Sequence, residues 1–489
     1  MFELKSLFNK LNISDENSNS SNIDHKNCSY CNKPFTKELW CKECDPRHMI
    51  EGWSSGNNDI DKFIKDAIYD ARKHSSERFL EWVPFNRFKY IKQIGIGGFA
   101  KVYSATWIDG KAEYVIQSGV WKKKESQPIK VALKRLNGSQ NMSAEYLNEL
   151  KIHWKFHKSI MSTSLKIYGM TKDPETEELM MILQFVGDGN LRSVLSHNFK
   201  NILWKDKIFN LLWLTNGLES LHKLGYFHKD FHSGNILQRN DESYISDFGL
   251  SGPSNKQKSD DHICGVLPYI APEVLNGEPY TSSSDIYSVG IIMTELSSGK
   301  PPFYKRKHDA TLALEICNGL RPEFGKGTPE IYKKLAYKCM NANSNQRPTA
   351  SELYEILEYW YYSFNESEVY QEKEKFGYKG KEIKVIFEEA DKEIPNISAS
   401  YENNPDAIYT SRLFTFSNLT KPVNSSIITS YLNEENDKGI DFENFLITCL
   451  FIIANFISFI DNQDSQLFDL EIANSLQIED DISNKDGDE

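Results

Sequence analysis

Apolar and polar positions divide the chain into unequal stretches. Residues 1–27 are polar, rich in Asn and Ser, and read as a disordered tail. Between Asp59 and Arg72, Ile60, Phe63, Ile64, Ala67, Ile68 and Ala71 recur at i, i+3, i+4 spacing. That period predicts an amphipathic helix capped by Asn57, Asn58 or Asp59, within a helical linker over 57–81. Its apolar stripe needs a surface, and the nearest is the segment that follows. From 82 to 362 the patterning is dense. Short β-rich runs such as KYIKQIG and IKVALKRL come first, and long helical runs such as KIFNLLWLTNGLESLHKLG follow. The order predicts an α+β domain, sheet-rich first and helical second.

Beyond Tyr362 the sequence turns polar and acidic, and 363–489 reads as a mostly disordered tail. FLITCLFIIANFISFI, residues 445–460, interrupts it with sixteen almost wholly apolar residues. A helix of that length spans ~24 Å against a hydrocarbon core of ~30 Å, and no nearby Lys or Arg anchors it. The shortfall argues against a membrane anchor and for a docked helix or an aggregation-prone stretch, with membrane contact left open.

Composition narrows the classes. A chain of 489 residues, 39% apolar and 12% aromatic, holds enough core for two to three modules. With 57 Lys plus Arg against 69 Asp plus Glu the net charge is −12, which gives no electrostatic reason to expect nucleic-acid binding. The first twenty residues carry no secretory pattern, so the eight cysteines are expected as reduced thiols in the cytoplasm or nucleus. Four of them cluster as Cys28-x-x-Cys31 and Cys41-x-x-Cys44. Two such knuckles present four thiolates, the closed tetrahedral set of a structural Zn²⁺ site, and zinc is preferred to two disulfides or four free thiols. A finger of this kind could contact protein partners.

Candidate chemistry follows in order along 82–362. IGIGGFAKV (94–102) offers Gly95, Gly97 and Gly98, whose backbone N–H groups could close over phosphates, although the third glycine of the usual pattern is Ala100. Alone it could equally be a Gly-rich β-turn. VALK (131–134) ends an apolar strand on Lys134; fifteen residues on, Glu149 lies on a helical run, with Glu145 one turn earlier as the alternative partner. HKDFHSGN (228–235), DFG (247–249) and APE (271–273) complete the set.

These ordered motifs resemble those of eukaryotic-type protein kinases. HSGNIL and DIYSVGIIMTELSSGKPPF are most similar to the tyrosine-kinase-like group, whose members generally phosphorylate Ser and Thr. The resemblance implies a bilobal fold, ATP and Mg²⁺ as the cosubstrate and ion, and protein substrates. It places Asp230 as the base toward the acceptor hydroxyl, Asn235 and Asp247 on Mg²⁺, and Lys134, fixed by Glu149, on the phosphates. Phosphoryl transfer needs the triphosphate's charge neutralised, and hard oxygen ligands suit Mg²⁺. Adenine would lie between Val102, Ala132 and Leu237, with Leu183 as gatekeeper and Gln184 and Val186 in the hinge. Glu273 with Arg347 resembles a buried bracing ion pair, Asp285 a support for the catalytic loop, and His228 and Phe248 members of a hydrophobic spine. Three residues depart from the pattern: Lys229 for an Arg, His232 for a Lys, and Val266 for a Thr. Ser251, Ser254 and Ser259 are the hydroxyls between Asp247 and Tyr269, with Ser259 the first candidate for regulation. The rival expectation is a pseudokinase scaffold that binds nucleotide and partners without turnover.

Overall fold

The computed structural model describes residues 52–433 apart from 74–78, 98–99, 112–113, 118–119, 124–126, 137–138, 140–143, 160–164, 240–241, 253–262, 399 and 417–418. The expectations for 1–27, for Cys28, Cys31, Cys41 and Cys44, for Ser254 and Ser259, and for the apolar 445–460 lie outside the described residues.

Helix α1 (Asn58–Lys73) starts at Asn57, whose Oδ1 accepts from the N–H groups of Asp59 and Ile60 at 2.9 and 3.2 Å. Asn57 is therefore the cap among the three candidates. The spacing of the apolar positions puts Ile60, Ile64, Ala67 and Ile68 on one face, and all four are buried against Leu150, Trp154, Met170 and Met181. Each buried isoleucine stabilises this docking by about 1.5–3 kcal/mol.

Six strands form the N-lobe sheet in the order β1-β7-β8-β6-β3-β2: β1 (Glu81–Trp82), β2 (Phe88–Ile96), β3 (Ala100–Trp107), β6 (Ile129–Leu136), β7 (Ile167–Lys172) and β8 (Leu179–Gln184). β4 (Tyr114–Gln117) and β5 (Val120–Lys123) pair as a separate hairpin. Among the described strands only β1 with β7 runs parallel. Alternation sorts the side chains of β6 and β8 between two layers. Val131, Leu133, Met180 and Ile182 pack with Trp107, whereas Ala132, Met181 and Leu183 face helix α2 (Ala144–Lys158) and α1. Lys134 shares the second parity, and the strand thereby aims it toward α2.

The C-lobe holds α3 (Leu191–Asn198), α4 (Trp204–Lys223), the hairpin β9 (Ile236–Arg239)–β10 (Glu242–Ile245), β11 (Ile263–Gly265), α5 (Pro272–Leu275), α6 (Ser282–Ser298), α7 (Ala310–Cys317), α8 (Glu330–Cys339) and α9 (Ala350–Tyr362). Helix α6 is buried on every side from Ser284 to Ser298, which fits its nearly continuous apolar and small residues. Gly290 lets α8 cross it closely: a Cβ there would meet Cys339 Cβ at 2.9 Å. Gly299, at φ +69°, ends the helix in the left-handed conformation.

The expectation of a weakly structured tail needs correction for residues 363–433. They form α10 (Glu368–Gln371), the β12 (Glu374–Lys375)–β13 (Tyr378–Lys379) hairpin, α11 (Gly380–Asp391), β14 (Arg412–Phe414) and α12 (Ser426–Asn433). The acidic composition conceals sparse anchors. Ile383, Phe387 and Ala390 make one buried face of α11, and the Phe387 ring sits 5.7 Å from Trp204 and 5.4 Å from Trp360. Asp391 Oδ1 accepts the Trp204 N–H at 2.7 Å. Among the described residues no helix is long and apolar enough to cross a membrane.

Candidate active site

Lys134 meets both predicted carboxylates. Its Nζ lies 2.6 Å from Glu149 Oε1 and 2.8 Å from Asp247 Oδ1, residues brought from α2 and from beyond the β10 strand. Burial opposes the charge on Lys134, but the two carboxylates outweigh it and hold the ammonium well above its usual range. Desolvation within the cleft likewise raises Asp247, although its side chain stays partly exposed, and Lys134 more than reverses this, bringing that carboxyl down to about 2. Gly249 packs closely against the cluster: a Cβ there would stand 3.3 Å from Asp247 Oδ1, a slightly tight contact, and 3.5 Å from Glu149 Oε2. Glu145, the alternative partner, is not needed.

The HKDFHSGN loop is held from below by α6. Asp285 accepts from the N–H groups of His228 and Lys229 at 2.9 and 3.0 Å and from His222 Nε2 at 2.9 Å. Three donors on one carboxylate fix Lys229 at φ +67°, a conformation rare for a side-chain-bearing residue. Asn235 Nδ2 donates to Asp230 O at 3.0 Å and to its Oδ2 at 3.3 Å. Gly234 N–H donates to His232 Nδ1 at 3.0 Å. The other ring nitrogen, Nε2, faces Asp230 Oδ2 at 3.6 Å. Burial pushes the Asp230 carboxyl up, yet His232 and a hydrogen bond from the Ser411 hydroxyl bring it below the usual range. Val266 is buried and offers Asp230 no hydroxyl.

Other supports stand as the motifs suggested. Arg347 and Glu273 form a two-pronged pair at 2.7 and 2.6 Å. Phe248 is buried, 5.4 Å from the His228 ring. Sequence reasoning missed His153, whose ring lies 5.1 Å from Phe248. It also missed a buried polar network beneath the loop: Ser233 Oγ and Tyr269 OH donate to the two oxygens of Glu295 at 2.9 and 2.6 Å, and Arg192 Nη2 reaches Tyr269 OH at 3.4 Å. The i+4 spacing from Glu149 could have flagged His153, but nothing local pairs Ser233 with Glu295.

On the nucleotide side, Gly95 pairs with Val102 across β2 and β3, and Gly97 N–H donates to Ala100 O at 2.7 Å, which closes the turn. Gly98 lies outside the described residues. Val102, Ala132 and Leu183 share one apolar cluster; Gln184 ends β8 and Val186 follows half-buried, while Leu237 enters from the C-lobe, bridged to Asn190. The donor set suits a magnesium nucleotide. Asp247 is an ionised carboxylate with its side chain 46% exposed, Asn235 directs its N–H at Asp230 and keeps its carbonyl oxygen, and Lys134 has a third N–H for a phosphate.

A sheet-rich lobe and a helical lobe meeting at a lysine, two acidic partners and an Asp–Asn loop define a phosphotransferase of the protein-kinase class. A profile of the family described as protein tyrosine and serine/threonine kinase matches residues 88–357. The chain belongs to that family. A probable serine/threonine-protein kinase of Dictyostelium discoideum is 30% identical over 50% of this chain and 15% of its own length. The serine/threonine-protein kinase fray1 of the same organism is 28% identical over 60% of this chain and 50% of its own length. Its stress-activated protein kinase alpha is 28% identical over 70% and 50%. The chain thus spans from about a seventh to half of the length of these relatives.

Proposed function

We propose that the chain is an ATP-dependent protein kinase, tyrosine-kinase-like, that phosphorylates Ser and Thr hydroxyls of intracellular proteins. The observation that carries this reading is the joint assembly of Lys134, Glu149 and Asp247 beside Asp230 and Asn235. Lys134 binds phosphate oxygens, Glu149 keeps it placed, Asp247 and Asn235 would hold Mg²⁺, and Asp230 receives the acceptor proton. ATP supplies the phosphoryl group, and Mg²⁺ neutralises the charge that develops on it. Val102, Ala132, Leu183 and Leu237 exclude water from the adenine side.

Asp230→Asn tests the assigned base. Phosphoryl transfer is expected to vanish while Mg-ATP still raises Tm, because the nucleotide-binding groups are untouched. Transfer at the original rate would sink the assignment. A rise in Tm with Mg-ATP but no transfer to any acceptor by the unaltered chain would point instead to a scaffold that binds nucleotide without turnover.

The same proposal covers Cys28, Cys31, Cys41 and Cys44 as a structural Zn²⁺ finger that contacts protein partners. Metal analysis of the full chain is expected to find about one zinc, released with a rise in free thiols on acidification. Free thiols without metal would end this part of the reading.

A further inference from the structure

Ser411 is not part of any kinase motif, yet its hydroxyl donates to Asp230 Oδ2 across 181 residues of sequence. The strap that brings it there is fastened on both sides. Upstream, Asn404 N–H donates to Tyr304 O at 2.8 Å, His308 N–H to Asp406 O at 3.1 Å, and Tyr409 OH to Pro302 O at 2.9 Å. Arg192 lies 4.7 Å over the Tyr409 ring and donates to the Tyr409 carbonyl at 3.2 Å. Downstream, Arg412 donates to His308 O, and β14 pairs antiparallel with β11 in the register Gly265↔Arg412, Cys264↔Leu413, Ile263↔Phe414. β11 is the stretch just before Val266 and the APE motif, so the strap adds a strand to the end of the segment that begins at Asp247. Gly265 sits at φ +146°, a conformation that side-chain-bearing residues rarely adopt, and a Cβ there would lie 3.3 Å from Ile270 Cγ1. The neighbouring Thr410 is exposed, so the register selects Ser411.

The geometry points to Ser411 as an intramolecular phosphoacceptor, held by the strap in the groove that receives peptide substrates. This inference rests on the kinase reading above. Ser411 Oγ attacks the γ-phosphorus of ATP, and the Oγ–P bond forms. The bond from that phosphorus to the bridging oxygen breaks, and its electron pair leaves with ADP. The Ser411 proton passes to Asp230 and then to water. The phosphoserine carries about −1.5 to −2 charges beside Asp230 and Asp247. Like-charge repulsion then drives the strap out and opens the groove to other proteins.

A different role fits the same hydrogen bond, namely that Ser411 merely positions Asp230 in place of the hydroxyl absent at Val266. Time-resolved phosphosite mapping of the full chain with Mg-ATP separates the two. Phosphate is expected on Ser411 at a rate constant that does not change on dilution, and a tagged Asp230→Asn chain mixed in as acceptor should stay unlabelled at Ser411. A Tyr409→Ala/Arg412→Ala chain, with the strap loosened, is expected to phosphorylate an added Ser-containing peptide faster than the unaltered chain. Phosphate on other residues or on the peptide, with none on Ser411, overturns the inference and leaves the kinase reading standing. Labelling of the tagged chain at Ser411 overturns the intramolecular step. If Ser411 stays unmodified and Ser411→Ala abolishes transfer to the peptide, Ser411 positions Asp230 instead. Absence of transfer to any acceptor, with the strap loosened as well, overturns the kinase reading and this inference together.

Discussion

Six described residues other than glycine adopt positive φ, and two of them, Lys229 at 67° and Asp247 at 65°, flank the reacting groups. Each such residue costs of order 1–3 kcal/mol, which only an over-determined surround sustains. For Lys229 that surround is Asp285, and for Asp247 it is Lys134. The same logic applies to Arg347, whose side chain is fully buried against Glu273. Arg347→Ala is expected to cost about 3–5 kcal/mol, because it strands the largely buried Glu273 carboxylate; the midpoint of urea unfolding measures it. His153 gives a pH prediction. Burial, reinforced by the Lys134 and His157 charges, lowers its imidazole to about 3 from 6.5. The folded form therefore needs it neutral. Its contribution is complete above the ordinary value and lost as pH falls toward the folded one. Near pH 4.5 this is worth roughly 2–3 kcal/mol relative to neutrality. His153→Phe should flatten the acid limb of stability by that amount. At this scale Lys134, Glu149, Asp230, Asn235 and Asp247 were legible because their motifs follow chain order. Ser411, Ser233 and Glu295 were not, since each acts through a partner far away in sequence.

Among the elements, α1 and α11 are both amphipathic, and both carry the helical period in their sequence. The apolar positions of α1 recur over three turns, and Ile383, Ile386, Phe387 and Ala390 repeat the i, i+3, i+4, i+7 spacing in α11, where the acidic composition of the surrounding tail masks it. The short β1 and β14 carry no pattern at all, because pairing partners rather than their own side chains define them. Helix α1 rests on α2, the helix that carries Glu149. Ile64→Ala is expected to cost about 2–5 kcal/mol through the cavity it leaves. A fall in activity with little change in KM for peptide would show that α1 also steadies Glu149. Phe387→Ala removes the ring between Trp204 and Trp360 and is expected to cost about 3–5 kcal/mol, read in the unfolding of the C-lobe.

Over the whole molecule the extension past α9 clamps the C-lobe twice, once at α11 and once where α12 packs the tilted Tyr431 ring against Tyr337 at 4.8 Å. The strap runs between these clamps, so both of its ends are anchored to the lobe that holds Asp230. Tethering of this kind sets a local concentration in the millimolar range without any additional contact. Before Ser411 is phosphorylated, a free peptide tested at micromolar concentration would face that rival on nearly every encounter and register as a poor substrate whatever its sequence. Substrates that reach the groove before that step are therefore expected to arrive tethered as well, through docking on another surface of the chain.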